Sequence, residues 1–424
     1  MPGNELEQQL QGFLKAEFNR LGVRDGKKPR KLMPYIIANV ADVLRGMTLI
    51  RQAVLQPTWL DGQGPWPAFE VLPARNGLIH IPSLAEGGDF QLPPTPNFFS
   101  SIGLDYNFEL AAGAPTEWLR FLSGLWPDDP ESMGTLQEFM GYLLTPDTRQ
   151  QKILMLVGPP RSGKGTIMRV ITRLVGEANV ANPNLSDFAG TFGLWSLIGK
   201  SVAIIADARF GGRRDGSMIV ERLLNISGED SLTIDRKYQF PVTAKLGVRL
   251  VLCSNEMPQL TDASGALASR MIVLRLVHSF LGKEDLKLQE RLVAEMPGIL
   301  QWAVEGWARL RERGHFDPPR SSVSMVQELS EIGSPVQAFV KECCTVGDDR
   351  SVSRVELYRA FAAWSKARGG ECENESVFGR NLRAVCPKID TVQRTVSGKK
   401  VRFYTGIGLL SPDLETGENA NGNE

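Results

Sequence analysis

The chain is 424 residues long, 42% hydrophobic and 23% charged, and its 48 Lys plus Arg balance 48 Asp plus Glu to a formal net charge of zero. That length suggests two or three domains with ample core, and zero net charge excludes a global positive field, so any nucleic-acid contact must come from local patches. Five cysteines without a C-x-x-C pair and three histidines without ligand spacing argue against structural zinc, and no apolar run is long enough to span a membrane.

Residues 1 to 55 read as helical, with apolar positions at Leu10, Phe13, Leu14, Phe18 and Leu21. The basic insert KKPRK, Lys27 to Lys31, reads as a solvated loop or as a targeting or nucleic-acid patch. From Trp59 to Asn107 turn residues dominate, interleaved with short strand-like pieces such as LIHIP. Residues 115 to 145 return to helix, with Trp118, Phe121, Leu122 and Leu125 on one face and Leu136, Phe139, Met140 and Leu143 on another. The first residues lack a basic-then-apolar secretion signal, so a reducing cytosolic compartment is expected.

The rest of the chain is organised around KILMLVGPPRSGKGTIMRVITRL, Lys152 to Leu174. An apolar run, Ile153 to Val157, reads as a buried strand, a Gly/Pro-rich turn follows, and Thr166 to Leu174 has helical periodicity. Strand, glycine turn and helix N-terminus together form a phosphate-binding loop, because backbone N–H groups and the helix dipole face an anion. The loop runs through Gly158, Pro159, Pro160, Arg161, Ser162, Gly163, Lys164, Gly165 and Thr166. The glycines permit the tight path, and Lys164 reaches the β- and γ-phosphates as a point charge. The G-x-x-x-x-G-K spacing is complete, but Gly165 follows the lysine and the hydroxyl comes one residue later, at Thr166. A nucleoside triphosphate is the expected ligand.

Ser201 to Ala206 reads as a second buried strand ending at Asp207, whose carboxylate beside a phosphate loop can hold Mg²⁺ directly or through water. The bland alternative is an ordinary strand-ending Asp. Met218 to Ile226 reads as a helix, and SGEDSLTIDRKYQFPVTA as two strands around a basic, aromatic tip of Arg236, Lys237 and Tyr238. Such a tip either grips a phosphate backbone while the tyrosine stacks on a base, or is a plain exposed hairpin. Asn255 lies just past the apolar strand Val248 to Cys253, where a polar side chain can orient the attacking water. Arg270 precedes one more strand and suits either a transition-state contact on a neighbouring subunit or a structural ion pair.

Leu281 to Leu310 continues as helix, and HFDPPRSSVS marks a linker near residues 315 to 324. Beyond it three helical segments (Pro335 to Cys343, Arg354 to Ala367, Glu375 to Val385) precede two strands joined at Ser397-Gly398. That is the plan of a winged helix, whose hairpin carries Arg394, Lys399, Lys400 and Arg402, and DNA is the expected partner over protein. The final stretch, 411 to 424, is polar and acidic and is expected to be disordered.

In this order the motifs resemble those of superfamily 3 helicases of the phage, plasmid and poxvirus primase-helicase type. GPPRSGKGT matches Walker A and VAIIADA occupies Walker B. GEDSLTIDRKY resembles the segment with the DNA-contacting hairpin, LVLCSNEMP the sensor asparagine motif, and LASRMIVLRL the arginine-finger segment. Upstream, ARNGLIHIPS, TPNFF, LDYNF and LQEFMGYLL resemble the adaptor that precedes such motors.

The resemblance implies an α/β fold: an N-terminal helical segment (1–55), an adaptor (56–145), an AAA+-like P-loop motor (146–315) and a winged helix (325–410). It implies a homo-hexameric ring, in the cytoplasm of a bacterial host, that binds ATP and Mg²⁺ between subunits and translocates on single-stranded DNA. Lys164 would then neutralise phosphate, Thr166 and Asp207 serve Mg²⁺, Asn255 act as sensor and Arg270 as a finger in trans, while Lys237 and Tyr238 move DNA. Two departures bear on catalysis. Gly165 stands where Ser or Thr is usual, and Walker B holds the single acid Asp207, so the general base is Asp207 or another carboxylate such as Glu221, Glu229 or Asp230. A primase would have to be a separate protein. The rival readings are an ATP-binding ring that loads replication proteins without unwinding and a nucleotide kinase.

Overall fold

A computed structural model describes residues 3–24, 32–48, 56–110, 113–208, 216–258, 265–368, 372, 374–396 and 399–410. KKPRK, Ser397-Gly398 and the acidic tail lie outside the described residues. The chain divides into two units, Met1–Thr58 and Trp59–Glu424. Among the described residues the first holds two helices, Gly3–Arg24 and Pro34–Met47. Phe13, one of the apolar positions of that helical pattern, is exposed.

The second unit is built on a five-stranded sheet of β1 (Ile153–Val157), β2 (Val180–Ala181), β3 (Val202–Ile205), β4 (Arg249–Ser254) and β5 (Met271–Arg275), in the order β5-β1-β4-β3-β2. Every pairing is parallel. Parallel strands must be joined by crossovers that cover both faces, which is why these read as unbroken apolar runs and not as alternating ones. Leu154, Leu156, Val251, Cys253, Ile272 and Leu274 face one core, packed by the helices Thr116–Leu125, Pro130–Tyr142, Lys164–Val175 and Met296–Arg313. Ile153, Met155, Leu250, Leu252 and Val273 face the other, under Gly216–Ser227 and Arg320–Gly333. The result is a mixed α/β architecture whose sheet is compatible with a nucleotide-binding domain.

The helices Pro130–Tyr142 and Met296–Arg313 meet almost backbone to backbone. A Cβ at Gly141 would lie 2.1 Å from the Ala303 carbonyl oxygen, and one at Gly306 2.5 Å from the Gln137 carbonyl. The preceding segment is fastened to the helix after β1: the Tyr106 hydroxyl donates to the Leu174 carbonyl at 2.9 Å, and Asn179 Nδ2 to that of Gly103 at 2.7 Å.

The Pro/Ser-rich piece read as a linker is instead the start of a helix. Pro319 precedes Arg320–Gly333, and Ser322, fully buried, accepts the Val273 N–H of edge strand β5 at 3.0 Å. Proline suits a helix start, where its missing N–H costs nothing. Met325 and Leu329 then join the second core.

A third core belongs to the C-terminal elements, where Phe361 stacks on Phe378 at 4.6 Å and Phe339 meets Phe361 edge-on. Three helices occupy the expected segments, Pro335–Cys343, Arg354–Ala367 and Glu375–Val385. The sheet has three strands, not two: Cys344–Ser353 pairs with Lys399–Leu409, which also pairs with Asp390–Val396.

Candidate functional site

The turn after β1 is held from below. Gly158 N–H donates to the Ser254 carbonyl of β4 at 3.2 Å, and a Cβ there would stand 2.3 Å from the Leu276 carbonyl oxygen, so only glycine fits. Gly163 caps the following helix at φ 95°, a conformation that glycine adopts without steric cost. The helix buries Ile167, Val170, Ile171 and Leu174, a one-sided spacing that fixes its axis on the sheet with its N-terminus at the turn. The segment after β5 straps the turn from the other side: Phe280 N–H donates to the Arg161 carbonyl at 3.0 Å, and Ser279 Oγ to that of Pro160 at 2.8 Å.

Lys164 is buried, and its ammonium donates to the carbonyls of Gly158 at 2.6 Å and Pro159 at 2.8 Å and to Ser162 Oγ at 3.2 Å. Burial lowers its pKa. A desolvated cation on a ring of neutral acceptors is a site that an anion would relieve.

Above the turn opens a cleft of about 580 Å³, within the range of small-molecule sites. Arg161 to Thr166 and Arg169 form one side, and Phe280 to Gln289 the other, with Phe121 and Met168 as apolar wall and Ala206 and Asn255 at its inner end. The strand order explains the last two. β4 is the direct neighbour of β1, so the end that carries Asn255 abuts the loop, and β3, one strand further, ends on the same side, where Ala208 N–H donates to the Cys253 carbonyl at 2.8 Å. Ala206 lines the cleft, and both it and Asp207, one residue on, are exposed.

Among the described residues no cluster of three or more His, Cys, Asp or Glu is arranged for a metal. Mg²⁺ asks for less, one or two carboxylates completed by phosphate oxygens and water. The Asp207 carboxylate fits that demand. Thr166 fits it less well, since its hydroxyl already accepts from Arg169 Nη2 at 3.2 Å. Gly165 has room for the missing hydroxyl: an added Cβ would meet only the tip of Arg169, at 3.4 Å. Gly165→Ser is therefore expected to fold normally, to gain about 0.5 kcal/mol of helix propensity, and to lower severalfold the Mg²⁺ concentration that supports nucleotide binding. Titration of Mg²⁺ against binding of a fluorescent nucleotide checks this, and an unchanged midpoint refutes it.

Other sequence-predicted residues lie elsewhere. Arg270 stands at the start of β5, on the edge formed by the strand starts and so opposite the loop, where its guanidinium donates to the Leu224 carbonyl and, at 2.9 Å, to Ser227 Oγ. It caps the helix Gly216–Ser227, whose C-terminal dipole favours a cation. It does not reach the loop of its own chain. Glu229 is at that same edge, bonded to the Thr148 hydroxyl and to Lys245 at 3.2 Å, and the Thr148 bond holds its carboxyl below the usual range. Asp230 follows it, and Glu221 is exposed on the helix. Glu229 and Asp230 are thus removed from the loop and cannot serve as its base within one chain.

The same far edge carries the hairpin of Ser231–Arg236 and Gln239–Lys245, with Lys237 and Tyr238 in its tight turn. Tyr238 points to solvent, and Lys237 Nζ lies 5.4 Å from its ring centre. Arg236 is turned back on the hairpin and bonds the Phe240 carbonyl. In the C-terminal sheet Lys399, Lys400 and Arg402 are exposed opposite Val396, Thr395 and Gln393.

Sequence reasoning missed the far wall of the cleft. Glu284 pairs with Arg161 at 3.6 Å, and Gln289 accepts from Arg169 at 2.9 Å, from a segment more than a hundred residues downstream that has no motif spacing. The apolar Phe121 was legible only as core.

Residues 156–270 match a protein family described as a family of unknown function, DUF5906. Among solved structures, the apo structure of the NrS-1 C-terminal region (305–718) resembles this chain with a TM-score of 0.48 and 14% identity, over 82% of this chain and 84% of that one. The A-form apo structure of the NrS-1 C-terminal region gives 0.48 and 14% over 88% and 90%. Likeness of this size does not carry function from one chain to the other.

Proposed function

We propose that this chain is an ATP-dependent DNA helicase of the superfamily 3 type, serving the replication of a phage, plasmid or other mobile element. In this reading the α/β unit is an AAA+-like motor, the C-terminal helices and sheet form a winged helix, and the working form is a homo-hexameric ring on single-stranded DNA. The observation that carries it is the strand order. With β4 between β1 and β3, one sheet edge brings together Lys164, Asn255 and the Asp207 segment, while the opposite edge bears Arg270 and the Lys237-Tyr238 hairpin. ATP would lie in the cleft with its phosphates on the loop, and Mg²⁺, when bound, would supply Lewis-acid neutralisation of phosphate charge through Asp207. Because Arg270 faces away from its own loop, any contact with phosphate must be made on a second copy. That requires a ring whose closure repeats one head-to-tail interface.

The first test is ATP hydrolysis by the intact protein with and without single-stranded DNA, beside Lys237→Ala. DNA is expected to stimulate turnover, and Lys237→Ala to remove the stimulation while sparing basal hydrolysis. Turnover indifferent to DNA would sink the helicase reading. One observation favours the second reading, a ring that loads replication proteins: Ala206 occupies the inner end of the cleft, where an acid would help hydrolysis. Strand displacement separates the two, since a loader binds ATP and DNA but releases no strand.

A further inference from the structure

The hairpin tip exposes two aromatic rings. Tyr238 is 94% and Phe240 89% accessible. Between the pairs Gln239 with Arg236 and Val242 with Ile234, the strand register shifts so that Phe240 and Pro241 face the single residue Asp235. That is a bulge, a feature that re-aims a side chain, and Pro241 has no N–H with which to rejoin the ladder. The bulge is pinned. Arg236 Nε and Nη2 both donate to the Phe240 carbonyl, at 2.9 and 2.8 Å.

We propose that Phe240 is a second base-stacking platform of the tip, and that Arg236 is the positioning residue that holds it outward. This rests on the reading of the hairpin as the contact to single-stranded DNA. The surroundings favour a nucleobase over a protein patch. The exposed Gln239 stands between the two rings in the chain, and the exposed Thr233 and Thr243 bond across the strands at 3.2 Å, so the rings have polar neighbours. Single-strand binding uses that combination, because every base offers a π-face and a nearby cation takes the phosphate. Lys237 supplies the cation. Arg236 thereby acts through the fork of its guanidinium and not through its charge, unlike the phosphate contact expected of it from sequence.

The test measures fluorescence anisotropy of the full-length protein with a labelled oligo-dT and with an abasic backbone of equal length, without nucleotide. Phe240→Ala is expected to weaken oligo-dT binding about tenfold and to leave abasic binding unchanged, whereas Lys237→Ala weakens both. Arg236→Lys keeps the charge and loses the fork. It is expected to match Phe240→Ala on oligo-dT, and the double variant to be no weaker than either single one. Phe240→Ala indistinguishable from the intact protein on oligo-dT, or equally impaired on both oligomers, overturns the inference while leaving the helicase reading in place if DNA still stimulates hydrolysis. An intact protein that binds neither oligomer overturns both.

Discussion

Lys164→Ala is expected to lower ATP hydrolysis by about 100- to 1,000-fold, the cost of removing one preorganised charge donor from a transition state. The ammonium is buried at the helix N-terminus and satisfied only by loop groups, two carbonyls and the Ser162 hydroxyl. Those bonds set its place before any ligand arrives, so little reorganisation is needed when phosphate replaces them. The same bonds tie the first turn of the loop to its helix. Their loss should cost about 1–2 kcal/mol of stability, visible as a small drop in Tm and far too little to unfold the unit. Lys164→Arg should not rescue turnover, since a planar fork is not interchangeable with a compact point charge. The measurement is steady-state hydrolysis beside a melting curve. Retention of more than half the activity by a folded Lys164→Ala protein would remove the loop from the reaction.

How much of this could be read in the chain differs from element to element. The strand, turn and helix from Ile153 to Val175 were legible because local constraints coincide there: a buried five-residue run, a glycine where no Cβ fits, and a helix with one apolar side. Strands β3 and β4 were legible to within a residue or two for the same reason, being apolar on both faces. The strand order was not legible, because neither periodicity nor composition encodes which parallel strand lies beside which, and it is the order that gathers Asn255 and the Asp207 segment at the loop. Cys344–Ser353 escaped notice because GDDRS reads as a turn, while as an edge strand it buries only Cys344 and Val352. The helix from Arg320 hid behind Pro-Pro-Arg-Ser-Ser, in which prolines that look like a break are a helix start and Ser322 is a buried acceptor for a sheet edge. Arg236 and Arg270 show the general limit. Sequence supplies their charge, but only tertiary structure reveals that each is engaged with a backbone carbonyl.

Asp207→Asn is the second variant with a large expected effect, and its signature decides the role of that carboxylate. If the carboxylate held Mg²⁺, the change would weaken nucleotide binding and turnover together, and excess Mg²⁺ would restore part of both. If it polarised the attacking water, turnover would fall by about 100- to 10,000-fold with nucleotide affinity and Mg²⁺ midpoint unchanged. The first outcome is expected, because Asp207 immediately follows Ala206, the β3-end residue that lines the cleft and whose side chain carries no ligand atom. Of the alternatives open from sequence, Glu229 lies at the opposite edge of the sheet with Asp230 next to it, and Glu221 is exposed on the helix Gly216–Ser227. Glu284 and Asp285 line the cleft itself, and Glu256 is exposed just after Asn255 at the end of β4. Binding of a fluorescent ATP analogue across a Mg²⁺ series, measured beside turnover for Asp207→Asn and Glu256→Gln, separates the cases. Unimpaired turnover in Asp207→Asn with loss in Glu256→Gln would move the base to β4, and loss in neither would remove both carboxylates from the reaction.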